Sequence, residues 1–293
     1  MVKVGRPPSA RVHPVFRLVR FGNTLVSFAG TIVGGLAARG LGLEWDPTFF
    51  VALLLAAVST ACVTAGGNVL NDVRDQASDR VNHPDRPLVT GAISVATART
   101  LVAVLLVLSA VLILPIALAH LWIPVILLTA IGSVLLYEFR WKAAGLRGNA
   151  LVAYLTAAVF LYGGAVTDHL EFVLPFAAMA FGATLSREII KDMEDAGGDV
   201  ERRTLPRVHG MGVAGTSARL AVTAAVVLSP VPLLGSLAVL SPAGIMYAVL
   251  VLAADALFVV SVGWLPGRLH WEQSVSKGAM TVALLAFLAA AFR

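Results

Sequence analysis

The sequence predicts an all-α fold: a polytopic membrane bundle of nine transmembrane helices around a central cavity, with loops capping its cytoplasmic mouth. Three observations carry that prediction. Of 293 residues, 58% are hydrophobic and only 13% charged, and no polar stretch is long enough for a separate soluble domain. Apolar runs near or above the ~20 residues that cross a bilayer recur along the whole length, too often to be buried helices of a soluble core. The Lys and Arg residues gather in alternate loops, as cytoplasmic loops do. The chain therefore reads as one membrane domain over residues 1–293.

Taken in order, the apolar runs between polar punctuation give nine spans. The first, 20–38, follows a 20-residue basic segment and lacks a clear small-residue cleavage site before Arg39, so it is a resident helix and not a signal peptide. The second is 48–70; a loop with Arg74, Arg80, Arg86 and Arg99 leads to the third and fourth, 95–118 and 121–138. Arg140, Lys142 and Arg147 separate these from the fifth and sixth, 148–166 and 171–190. Arg187, Lys191, Arg202, Arg203, Arg207 and Arg219 border the seventh, 213–234, and Arg268 and Lys277 lie between the eighth, 243–263, and the ninth, 274–291. With a cytoplasmic amino terminus, 20 of the 22 Lys and Arg residues fall on the cytoplasmic side, leaving only Arg39 and Arg293 opposite. A multi-pass protein of the cell membrane with its amino terminus inside is expected. The net charge of +5 is topogenic bias dispersed over loops, and no nucleic-acid partner is implied. Cys62 is the single cysteine, which excludes an intrachain disulfide, and the histidines at 13, 83, 120, 169, 209 and 270 lack zinc-ligand spacing.

One acidic pattern occurs twice. NVLNDVRDQASD places Asn68, Asp72, Asp75 and Asp79 at steps of four, three and four at the end of the second span. EIIKDMEDAGGD repeats those steps with Glu188, Asp192, Asp195 and Asp199 at the end of the sixth. Such steps follow one face of a helix, so each set should present its oxygens as a stripe, with Gly197 and Gly198 unwinding the last turn of the second. Both lead into basic loops, VNHPDRPLVTG and VERRTLPRVHG, so an internal duplication is plausible. A single acid at a helix end solvates it; two matched sets converging on one pocket repel unless cations join them. Hard oxygen ligands of this kind suit Mg²⁺, which is held by a few carboxylates together with substrate phosphate oxygens. Arg74, Arg86, Lys142, Arg187, Lys191 and Arg203 lie near the same face and together can neutralise a diphosphate, although each alone reads more readily as a topogenic or ion-paired charge. The chemistry this fits is ionisation of an allylic diphosphate, with apolar helices holding the isoprenoid and excluding water.

The residues so arranged resemble the UbiA superfamily of intramembrane prenyltransferases. The likeness runs through NDVRDQASDRVNHPDRPLVTGAIS, YEFRWKAAGLRGNALVAYLTAAVFLYGGA and ATLSREIIKDMEDAGGD, and so spans most of the chain. It implies that Asn68, Asp72 and Asp79, with Asp75 less directly, hold metal and diphosphate with Asp192, Asp195 and Asp199 opposite, through two Mg²⁺ ions. It further implies that Tyr137 and Lys142 line the pocket, Lys142 on the diphosphate, while a belt aromatic and a topogenic charge remain the alternative reading. Arg20 and Asn23 are candidates for the acceptor's polar head or for snorkelling interface residues. His83 and Gly197 depart from the family pattern without touching a ligand position. Within the superfamily, AGGNVLND, GLRGNALVAYLT and SREIIKDMEDAGGD are similar to the digeranylgeranylglyceryl phosphate synthases of archaeal lipid synthesis. That implies a geranylgeranyl diphosphate donor and a geranylgeranylglyceryl phosphate acceptor among membrane lipids. An aromatic acceptor such as 4-hydroxybenzoate is the alternative within the superfamily.

Two other classes compete. A cation transporter would carry acids through the bilayer middle, whereas here only Asp255 lies inside a span, where it reads as a buried hydrogen bond or a protonated group before a catalytic one. Glu188 and Asp192 or Asp195 can also be read as helix-end partners of Arg187 or Lys191. A purely structural membrane protein would need no matched acid spacing.

Overall fold

The computed structural model describes residues 13–41, 46–197, 203–235 and 237–293, and the described residues are helical with no strand. Its long helices are α1 (Phe21–Arg39), α2 (Pro47–Arg74), α3 (Val95–Ile113), α4 (Trp122–Leu136), α5 (Leu146–Gly164), α6 (Leu170–Asp195), α7 (Met211–Leu228), α8 (Pro242–Gly263) and α9 (Leu269–Ala289). Each corresponds to one expected span. Eight are long and apolar enough to cross a membrane by length and composition, and the exception is α5. It opens with Arg147 and Asn149 and carries Tyr154 and Tyr162, yet it packs against α1, α2, α4 and α6, which bury Asn149 and Tyr162 within protein.

Helix limits follow local chemistry. Asp46 accepts from the Thr48 amide at 2.9 Å ahead of Pro47, Ser94 caps α3 through the Thr97 amide, and Ser241 caps α8 through the Gly244 amide with Pro242 as its first residue. Several boundaries differ from expectation, α9 beginning at Leu269 and not at 274 and α2 ending at Arg74 and not at 70 among them. α3 stops at Ile113 and not at 118, because Pro115 cannot continue the ladder, and α7 yields at Ser229 to a short helix, Val231–Gly235, for the same reason at Pro230 and Pro232. α6 runs on to Asp195, past the expected 190, so most of the second acidic motif is helical.

The helices form a closed ring in which α1 packs on α2, α5 and α9, and α6 packs on α5, α7 and α9. α3 lies outside, against α2 with a lighter contact to α4, and turns Val104, Val107 and Val111 toward the lipid. Between α1 and α5 the backbones nearly touch. A Cβ on Gly34 would come within 2.5 Å of the Phe160 carbonyl oxygen, and one on Gly163 would strike the Thr31 carbonyl, so only glycine permits this crossing. Up-and-down connection brings the start of α1 and the ends of α2, α4, α6 and α8 to one face of the ring. At the other, Arg39 pairs with Asp46, and Arg293 donates to the Ala38 carbonyl and lies over the Phe172 ring.

Candidate active site

The last turns of α2 carry Asn68, Asn71 and Asp72 to the mouth of the ring. The expected unbroken stripe is interrupted there: α2 ends at Arg74, Asp75 leaves the helical region at φ −91° and ψ 8°, and a second short helix, Gln76–Asn82, carries Asp79. The break folds the acids around cations. Arg86 donates to Asp72 Oδ1 at 2.9 Å and to Asp79 Oδ2 at 2.6 Å. Arg20 donates to the same Asp72 oxygen at 2.7 Å and to Asn71 Oδ1 at 2.8 Å. Asp72 and Asp79 are only 3% and 4% exposed, so these charge-assisted bonds offset the cost of burying them. Arg20 itself caps α1 with φ at +49°, a left-handed conformation unusual for a residue with a side chain. Asn68 donates its amide to the Val19 carbonyl at 3.0 Å, which fixes the chain just before Arg20.

Lys142 enters from the fourth span. After Leu136 the helix widens into a π-turn, Tyr137–Trp141, and the Lys142 amide donates to the Tyr137 carbonyl at 2.9 Å. This register brings the Lys142 ammonium to Asp75 Oδ2 at 2.7 Å and Glu138 Oε2 at 3.0 Å, 5.9 Å from the centre of the Tyr137 ring. Glu138, 7% exposed, also accepts from Asn71 Nδ2 at 2.8 Å. Arg74 lies over the Phe139 ring at 5.1 Å.

The second motif ends α6. Arg187, Glu188, Lys191, Glu194 and Asp195 line the cavity, with Arg187 bonded to Glu188 at 2.7 Å and Glu194 to Gln273 at 2.7 Å. Asp192 accepts from Asn149 Nδ2 of α5 at 2.8 Å and stands outside the lining, as Asp72 does. Asp199 and Arg202 lie outside the described residues. The two capping loops meet where the Arg203 amide donates to the Ala143 carbonyl, and Gly145, at φ +58°, passes too close to the Arg203 carbonyl for any Cβ.

Both motifs thus border one cavity of about 1530 Å³, which Asn23, Asn68, Arg74, Arg86 and Lys142 also line. That exceeds the roughly 300–1,000 Å³ of ordinary small-molecule pockets. Its deeper walls are apolar, with Val63, Ile126 and Leu127 on one side and Val251, Phe258 and Phe287 on the other. Asp255 reaches this chamber too and accepts from Ser229 Oγ at 2.6 Å, the hydrogen bond expected of it, while Tyr247 donates to the Ser229 carbonyl. Among the described residues no three acids, histidines or cysteines are close enough to hold a metal ion unaided. The donor set nevertheless fits Mg²⁺ in kind: hard carboxylate and amide oxygens from both motifs around a cavity open to an anion that completes the shell. Sequence reasoning missed Asn71, Asn149 and Glu138. For Glu138 a signal existed, its position four residues before Lys142.

Residues 27–291 match the UbiA prenyltransferase family. The chain is 41% identical over 228 residues to the digeranylgeranylglyceryl phosphate synthase of Methanoculleus marisnigri, covering 75% of this chain and 77% of that one. It is 36% identical over 280 residues to that of Methanopyrus kandleri, covering 91% and 95%. A solved digeranylgeranylglyceryl phosphate synthase superimposes with a TM-score of 0.77 at 30% identity, covering 95% and 98%. A UbiA homologue from Archaeoglobus fulgidus, solved bound to GPP and Mg²⁺, shares the fold with a TM-score of 0.65 at 18% identity, over 95% of this chain and 98% of that one. The chain belongs to the UbiA prenyltransferase family.

Proposed function

We propose that this protein is a Mg²⁺-dependent intramembrane prenyltransferase that moves a geranylgeranyl group from its diphosphate to the free hydroxyl of geranylgeranylglyceryl phosphate. One observation carries the reading: two acidic helix ends, interleaved with Arg and Lys, border a single large cavity whose depth is apolar. Such a chamber seats a diphosphate at its mouth and long hydrocarbon tails below it. The relatives named digeranylgeranylglyceryl phosphate synthase support that acceptor over an aromatic one.

In this reading Asn68, Asp75, Asp79 and Asp195, which border the cavity, and Asp72, Asp192 and Asp199 from the same motifs would be the oxygen ligands for Mg²⁺, two ions in all. Bound Mg²⁺ supplies positive charge to the departing pyrophosphate. Arg86, Lys142, Arg74 and Lys191 bring cationic donors to the same oxygens. The donor's C1–O bond breaks with its electron pair on pyrophosphate, the acceptor hydroxyl oxygen bonds to C1, and its proton is released. The apolar walls keep water from capturing the allylic cation first. Arg20 and Asn23, at the start of α1, face the acceptor's phosphate. The mouth opens to the cytoplasm, following the charge asymmetry of the loops.

The test is prenyl transfer in lipid vesicles from geranylgeranyl diphosphate to geranylgeranylglyceryl phosphate and, in parallel, to 4-hydroxybenzoate. Ether product that vanishes with EDTA and returns with Mg²⁺ is expected, and Asp79→Ala and Asp195→Ala should each lower kcat by about 10²–10³-fold, the scale of losing one charge-stabilising group. Preference for the phenol would overturn the acceptor, and full turnover in either variant would overturn that residue's role.

A further inference from the structure

The ion pairs around the first motif form one continuous chain: Asp75 to Lys142, Lys142 to Glu138, Glu138 to Asn71, Asn71 to Arg20, Arg20 to Asp72, Asp72 to Arg86 and Arg86 to Asp79. Every acid in it except Glu138 belongs to the repeated motif. Glu138 is 7% exposed, lies on the π-turn rather than on α2, and uses its two oxygens on different partners. Each oxygen of this buried carboxylate thus has a donor, the Lys142 ammonium partners its charge, and it has no place in the symmetry between the two motifs.

Its consequence lies with Lys142. That ammonium is shared between Asp75, a proposed metal ligand, and Glu138, which is not one. A lysine and a divalent cation compete for the same carboxylate, so whatever draws Lys142 away from Asp75 makes that oxygen available to metal. We infer that Glu138 is a positioning residue that shares the Lys142 ammonium and thereby keeps Asp75 open to a divalent cation. The inference rests on the reading of the cavity as a metal and diphosphate site. Glutamine at 138 retains an acceptor for Asn71 but loses the charge that holds Lys142, which then falls wholly to Asp75.

Mn²⁺ bound to the purified protein, counted by the loss of free-ion EPR signal, tests this without turnover. Glu138→Gln should weaken Mn²⁺ binding about three- to tenfold, the scale of one charge-assisted hydrogen bond. Glu138→Asp should recover most of it, and adding Lys142→Met to Glu138→Gln should abolish the defect. Thermal unfolding in detergent monitors folding. Should Glu138→Gln fail to fold, Lys142→Met is compared with Glu138→Gln/Lys142→Met: a residue acting only through Lys142 leaves the two equal. A double variant as weak as Glu138→Gln, or weaker than Lys142→Met by more than about threefold, overturns the inference. Wild-type protein that binds no Mn²⁺ with or without inorganic pyrophosphate overturns the metal-site reading itself, and with it the role given to Glu138.

Discussion

Asn149 is the least conspicuous member of the site and the best probe of how the second motif is held. It reaches from the start of α5 to Asp192 at 2.8 Å and is 8% exposed, so a buried amide holds one oxygen of a half-buried carboxylate. Asn149→Ala should lower kcat/KM about tenfold with little change in expression, measured by product formation under limiting donor. Arg86 is a stronger case, since one Nη1 joins Asp72 and Asp79 across the break in α2. Arg86→Lys keeps the charge but sets it on a shorter, more flexible stem than the one that carries Nη1 between the two acids, and steady-state assays should find both acids poorly placed, with kcat/KM down about 10–100-fold. The spacing, because it occurs twice, singled out the two helix ends whose Asp75, Asp79 and Asp195 border the cavity. The motifs' partners were not legible: Asn71 and Asn149 are ordinary amides in sequence, and only the fold brings Asn149 beside Asp192 and Asn71 beside Arg20 and Glu138.

At the scale of elements, nine apolar runs were readable because lipid demands length and hydrophobicity, and among the described residues nine long helices follow them, α5 being the one less apolar than a span requires. What escaped was how the ends behave. The stripe of the first motif assumed one helix, but Asp75 turns the chain, and Asp79 reaches Arg86 from a separate helix. The π-turn at Tyr137–Trp141 was equally silent, since an extra residue in a turn leaves no periodic mark in so short a segment. The crossing of α1 and α5 offers a direct test of packing. Gly34→Val places side-chain atoms against the Phe160 carbonyl and should cost about 1–3 kcal/mol, seen as a lower unfolding temperature in detergent.

For the whole molecule, the ring sorts charge by face. The proposed cytoplasmic mouth makes a labelling prediction. With Cys62 replaced by Ser, a cysteine at exposed Ser78 should react with an impermeant maleimide only from the cytoplasmic side, and one at Leu118, 93% exposed in the turn after α3, only from the other. The reverse pattern would invert the assigned topology. The hydrocarbon chamber was foreseeable as a requirement of an isoprenoid substrate. Its walls were not, because lipid-facing and chamber-facing positions are both apolar and only the packed ring separates Leu127 from Leu128, the one lining the cavity and the other 69% exposed.

The left-handed backbone of Arg20 ties these scales together. Its guanidinium bonds to Asn71 and Asp72 help to hold a conformation that glycine alone adopts freely. A substitution that takes Asp72 from Arg20 therefore removes one of the two guanidinium bonds that anchor this bend at the mouth.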